Sequence, residues 1–235
     1  MNAAKRVVVE GPGRTVRACA VAAAVAGALL VADAGRIHAK AVVAQVLLRS
    51  AWARTADSVT PNHPWPWADS WPVARIVVER LGVDQIVLAD AGGESLAFGP
   101  SHVAGSAAPG APGIVVVSGH RDTHFRWLPE LRAGDRVEVE TAGGRVRAYR
   151  VDRGRVARLG PDGDLVVSVG GAEDALVMIT CDPGDDRAVG LASRYVVTAV
   201  PVLGRPRSPG NVRRDGDLTR TTRRRVPARQ RVTWR

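Results

Sequence analysis

The sequence predicts an all-β domain, a barrel or sandwich of eight short strands, set behind an N-terminal helical segment. Three observations predict it. Between Pro72 and Pro201 the chain breaks into short β-branched runs separated by turn residues, among them Gly82, Gly92-Gly93, Gly134-Asp135, Gly143-Gly144 and Gly170-Gly171. Ala142-Gly143-Gly144 between two such runs is a hairpin signal. About 130 residues of this kind can bury one adequate core. The candidate strands are 74–79, 85–88, 113–118, 136–141, 146–151, 165–169, 175–181 and 194–200.

Composition narrows the class. The chain has 235 residues, 46% apolar and 24% charged, which excludes a disordered chain, a collagen or a coiled-coil rod. Two cysteines build neither a disulfide scaffold nor a four-cysteine zinc site. The net charge of +10 belongs to the end of the chain: residues 204–235 hold eleven Arg and two Asp, which leaves residues 1–203 at +1. A nearly neutral body argues against nucleic acid as a partner.

Residues 1–35 read as a basic flank and a membrane anchor or signal segment. Lys5, Arg6, Arg14 and Arg17 precede an apolar run over 18–32 that ends at Asp33. Fifteen residues is short of the roughly 20 a span needs, and it matches the core of a signal peptide. Export is preferred over a buried soluble helix, and an uncleaved anchor over cleavage. The basic flank places the N-terminus in the cytoplasm and the rest outside. Residues 36–60 follow as a membrane-proximal stalk, with apolar positions near helical spacing and no Gly or Pro over 36–54. That stretch would reach about 28 Å as a helix.

Residues 61–73 carry three of the six tryptophans, Trp65, Trp67 and Trp71, among four prolines. The prolines force an extended path. The segment reads as a linker pinned by its indoles rather than a belt at a membrane interface. The β domain proper is 74–203. Residues 204–235 are Arg, Pro, Gly and Thr with almost nothing apolar, and are expected to be disordered.

The chemistry-bearing residues sit at strand ends. Cys181 closes the apolar run 176–180 and is followed by the turn sequence Asp182-Pro183-Gly184. A thiol there is delivered to the rim of the sheet, where loops build sites. Cys19 lies in the leader without a lipobox and does not pair with it, so Cys181 stays a free thiol in an exported domain. His120 follows the run 114–118 and Gly119. His124 lies four residues on, a metal spacing only when on a helix. A strand precedes it and no third ligand is evident, so no metal is expected. Arg194 opens the last strand. A Cys, His and Arg set can perform acyl transfer through a thioester, with the guanidinium on the oxyanion. Spacing alone also fits an inert buried Cys, capping histidines and a solvated Arg.

The segments around these residues resemble sortases, the cysteine transpeptidases of bacterial surfaces, and specifically the class GN sortases of Gram-negative bacteria. The matching stretches are PWPWADSWPVARI (64–76), LAFGPSHVAGSAAPGAPG (96–113), SGHRDTHFRWLPEL (118–131), the strand 176–181 with Asp182-Pro183, and SRYVVTA (193–199). The resemblance covers roughly residues 36–200. It implies an eight-stranded β-barrel behind a membrane helix and stalk helix. It implies Cys181 as nucleophile, His120 as the catalytic histidine and Arg194 as the residue that binds substrate and oxyanion. Asp122, His124 and Thr180 take supporting places. Family members cut a Leu-Pro-x-Thr-Gly-like motif near the C-terminus of an exported protein and pass the acyl group to an amine acceptor. They need no cofactor. The implied location is the inner membrane, single-pass, with the β domain on the periplasmic side.

The chain departs from the pattern in two places. Asp182-Pro183 and GDDRAVGLAS stand where an aromatic–Pro pair and a Pro/Gly-rich loop are expected, which puts acidic groups beside the thiol. Gly113-Ile114-Val115 replaces a polar residue after the Gly. Two other readings remain. An L,D-transpeptidase would want a Ser-x-Gly-Cys-type motif, which Ile179-Thr180-Cys181-Asp182 does not supply. A catalytically impaired binding module with a polyanion-binding tail is the non-enzymatic alternative.

Overall fold

The computed structural model describes residues 13–55, 61–90, 92–160, 164–182, 193–202 and 229–233. The chain divides into two compact units, Met1–Ala44 and Gln45–Arg235. Helix α1, Arg14–Thr55, runs through 42 residues. It is rich in Ala, Val and Leu and holds no Pro, so propensity favours it despite Gly27 and Gly35. Within it, Val16–Asp33 is long and apolar enough to cross a membrane, with a mean hydropathy of 1.8. Asp33 and Arg36 form an exposed ion pair at 2.8 Å.

The second unit is built around a closed barrel of eight strands in the order β1-β2-β3-β4-β8-β9-β6-β5. The strands are β1 (Pro72–Val78), β2 (Val83–Leu88), β3 (Ser101–His102), β4 (Ile114–Ser118), β5 (Arg136–Thr141), β6 (Val146–Arg158), β8 (Ala175–Cys181) and β9 (Ser193–Pro201). A short helix, α2 (Gly93–Leu96), lies between β2 and β3. The barrel has the expected count but not the expected membership. The predicted strand at 165–169 is β7 (Asp164–Ser168), which lies outside the barrel, and the two-residue β3 takes the eighth place. A two-residue strand leaves too short a pattern to read in sequence.

Period-two alternation carries β1, whose alternate side chains Ala74, Ile76 and Val78 are buried. The predicted hairpin joins β5 to β6 through Gly143 (φ 83°) and Gly144 (φ 72°), both in the left-handed region that a primed turn requires. β4 and β8 pair in parallel, from Ile114 opposite Ala175 to Ser118 opposite Ile179. Both read as unbroken apolar runs because both of their faces are covered. Val115, Val117, Leu176 and Met178 join the barrel interior with Ile76, Val139, Tyr149, Val197 and Phe125. Ile114, Val116, Ala175, Val177 and Ile179 face outward, where Leu165 and Val167 of β7 cover them with Val196 of β9.

β7 in turn pairs with a tenth strand, β10 (Arg229–Thr233), antiparallel from Arg229 opposite Ser168 to Thr233 opposite Asp164. These five residues lie within 204–235, the segment expected to be disordered. Adding a strand to a free edge needs backbone groups rather than apolar side chains, so poor hydrophobicity does not forbid it. The remainder of that tail, like residues 1–12, 56–60 and 183–192, lies outside the described residues.

The C-terminal end of α1 belongs to the second unit. Leu48 packs with Ile86 and Leu88 of β2 and with Trp52 and Phe98. Gln45 Nε2 donates to the Phe98 carbonyl at 2.7 Å. The Trp/Pro segment folds as a turn, with Ala68 N–H donating to Trp65 O at 3.0 Å. It is tied to the end of β2 by Ser70 Oγ donating to Ala89 O and by Ala89 N–H donating to Trp71 O.

Candidate active site

Strand register assembles the site. In the antiparallel β8–β9 ladder Cys181 stands directly opposite Arg194. Directly opposed residues share a face and lie about 5 Å apart. That face is the outer one, since Ile179 and Val196 precede them on it. On the other side of β8 the parallel pairing with β4 reaches Ser118 opposite Ile179, and Gly119 N–H extends it by donating to Ile179 O at 3.1 Å. β4 ends at Ser118, so His120 begins the loop that leaves this end of the ladder, as Cys181 closes β8. Three residues separated by 61 and 13 positions in sequence therefore leave one rim of the barrel together. Cys181 is half-buried, Arg194 is buried and His120 is exposed. Arg194 Nη1 donates to Ser193 O at 2.9 Å.

Thr180, His124 and Asp122, the expected supporting residues, lie on the strand end and loop nearby. Thr180 points to the barrel interior, is buried, and donates its hydroxyl to Gly119 O at 2.7 Å. This bond fixes the peptide just before His120 to the residue just before Cys181. Gly119 has no room for a side chain. A Cβ there would sit 2.8 Å and 2.9 Å from ring carbons of Phe125. Phe125 N–H in turn donates to His120 O at 2.9 Å, which closes the GHRDTHF loop on itself. His124 is half-buried, with Nε2 donating to Ala97 O at 3.4 Å. Burial holds its imidazole below the ordinary range, the Ala97 carbonyl acts in the opposite direction, and the nearby His120 adds to the lowering. Asp122 is exposed and pairs with Arg121 at 2.8 Å.

Arg121 was not among the candidates drawn from the sequence. Its Nη1 donates to Asp182 O at 3.1 Å, so the histidine loop grips the residue that follows the cysteine. Its place inside GHRDTHF was the available signal. Asp185, the other acidic residue expected beside the thiol, lies outside the described residues, as does the loop that holds it. Among the described residues no three His, Cys, Asp or Glu side chains are placed to hold a metal ion.

The Sortase domain model matches residues 76–202, from β1 to the end of β9 and more than half of the chain. No curated protein matches the chain. Among solved structures it is similar to a Clostridium perfringens sortase transpeptidase at 18% identity, covering 68% of this chain and 99% of that one with a TM-score of 0.49. It is also similar to sortase A from Corynebacterium diphtheriae at 25% identity, covering 61% and 66% with a TM-score of 0.48. A point mutant of sortase E from Streptomyces avermitilis matches at 27% identity, covering 57% and 90% with a TM-score of 0.44. The domain match runs from within β1 through the end of β9 and includes Cys181 and Arg194, and the chain belongs to the sortase family.

Proposed function

We propose that the protein is a membrane-anchored cysteine transpeptidase of the class GN type. In this reading it cleaves a Leu-Pro-x-Thr-Gly-like sorting motif of an exported protein and transfers the acyl fragment to an amine of the cell envelope. The observation that carries it is the rim itself: Cys181 opposite Arg194 across β8–β9, with the chain to His120 running along its other side.

Cys181 Sγ, as the thiolate, attacks the carbonyl carbon of the scissile Thr–Gly bond and generates a tetrahedral oxyanion. The Arg194 guanidinium binds that oxygen and the substrate backbone. An imidazolium beside a thiol favours the thiolate, and His120 donates its proton to the departing glycine nitrogen as the C–N bond breaks. A thioester remains. The acceptor amine attacks it, loses a proton to His120, and restores the thiolate. Asp122 and His124 order the loop that carries His120, and Thr180 fixes its root. No metal or organic cofactor takes part.

The helix segment Val16–Asp33 anchors the chain in the inner membrane by a single pass, with the barrel on the periplasmic side. Residues 36–60 form the stalk, 61–73 the linker and 74–203 the catalytic domain.

The test is intact-mass analysis of the full chain in detergent with a panel of Leu-Pro-x-Thr-Gly-like peptides. An adduct equal to the peptide minus its C-terminal fragment, released as an amide by a small amine, is the expected result. It is absent in Cys181→Ala and falls far more in Arg194→Ala than in Arg205→Ala. An unchanged adduct in Cys181→Ala ends the proposal. A chain whose Cys181 reacts sluggishly with every peptide and with small thiol reagents is instead the binding module.

A further inference from the structure

A concavity lies between the Trp/Pro turn and the loop after β2. It encloses about 410 Å³ and is lined by Trp65, Trp67, Phe98 and Leu48 on its apolar side and by Asp69, Asp90 and Glu94. Trp65 and Phe98 meet edge to face, with centroids 5.1 Å apart, and form a rigid aromatic wall. Trp67 is 79% exposed, an indole left in water beside an apolar hollow. Among the described residues no Lys, Arg or His lines the cavity. Its three carboxylates make no ion pair among the described residues.

We propose that this cavity is a binding site for an organic ammonium group. Indole faces attract a cation through their quadrupole, and the three lining carboxylates supply the opposite charge. An anion is disfavoured by every charge among the described lining residues. A bare metal ion is not accommodated either, since no three acidic or imidazole side chains converge among the described residues. The volume suits a substituted ammonium with a small apolar body. Such a group arrives either as a free amine or as a lipid headgroup. The site is independent of the Cys181 chemistry, although one residue links them: Ala97, beside Phe98, accepts the hydrogen bond from His124.

The test titrates the full chain, in phosphatidylglycerol nanodiscs, with tetramethylammonium while recording tryptophan fluorescence and calorimetric heat. Saturable binding is expected, weakened tenfold or more by Trp67→Ala. The triple variant Asp69→Asn, Asp90→Asn, Glu94→Gln is expected to do the same. Asn suits the left-handed backbone of Asp90 (φ 59°), so this variant keeps the loop conformation. The neutral isostere 3,3-dimethylbutan-1-ol should bind at least tenfold more weakly than choline. Equal binding of the isostere, or a triple variant with unchanged affinity, overturns the proposal, as does no saturable binding. Loss of apparent affinity for the free cation in phosphatidylcholine nanodiscs assigns the headgroup as its source. Unchanged affinity there assigns a free amine.

Discussion

Replacing Gly119 with Ala tests whether close packing beneath the histidine loop positions the site. The new Cβ would lie 2.8, 2.9 and 3.2 Å from three ring carbons of Phe125. Ordinary carbon contacts fall near 3.5–4.0 Å, so the ring or the strand end must retreat by about 0.8 Å. Neither has room. Phe125 is fully buried and rests edge-on against Trp127 with centroids 5.4 Å apart. Gly119 holds bonds to Ile179 and Thr180 through its own N–H and C=O. Overpacking of this kind costs about 1–3 kcal/mol. Removing a glycine from the unfolded chain returns about 0.4–1 kcal/mol. The net loss is about 1–2 kcal/mol, a fall in Tm of about 2–8 °C for a domain of this size. Circular dichroism melting checks the stability. Intact-mass acylation of Cys181 checks the site, because a strand end that moves carries His120 with it. Phe125→Leu in the same background should recover part of the loss, with a coupling of at least about 0.5 kcal/mol. A Gly119→Ala protein that melts within 1 °C of its parent and acylates at the same rate refutes the reasoning.

Three further outcomes follow from the same geometry. Thr180→Val removes the hydroxyl that holds Gly119 O at 2.7 Å and leaves that carbonyl buried without its partner. A loss of about 1–2 kcal/mol in urea unfolding is expected, together with slower acylation. His124 is held below its ordinary value of 6.5 chiefly by burial, so the unfolded chain binds the extra proton first. Stability should therefore fall as the pH drops from 6.5 to the lowered folded value and level off below it, and His124→Gln should flatten that slope in unfolding midpoints. The hydroxyl of Tyr149 is buried with no hydrogen-bond partner among the described residues. Tyr149→Phe should leave stability unchanged or raise it by about 1 kcal/mol in urea unfolding, and a loss above 1 kcal/mol would count against the packing described.

Much of the architecture was written in local patterns. Seven barrel strands follow from β-branched runs bounded by glycines, because a strand with one or two covered faces imposes its period on the residues that fill it. The candidates Cys181, His120 and Arg194 were visible for a related reason: each stands at the end of such a run, where a strand delivers a side chain to the rim. The apolar N-terminal run was equally legible, since length and composition alone decide whether a helix can cross a membrane.

The relations between segments distant in sequence came from the folded chain. The outward placement of β7 depends on which covered face a short apolar run finds, and periodicity cannot say whether that face lies inside or outside a barrel. β10 pairs through its backbone, which composition does not record. The grip of Arg121 on Asp182 and the collision awaiting any side chain at Gly119 arise from contacts that span 61 and six residues. Sequence alone determined which groups were available for chemistry. Their meeting at one rim followed from ladder register, a long-range property that no local window contains.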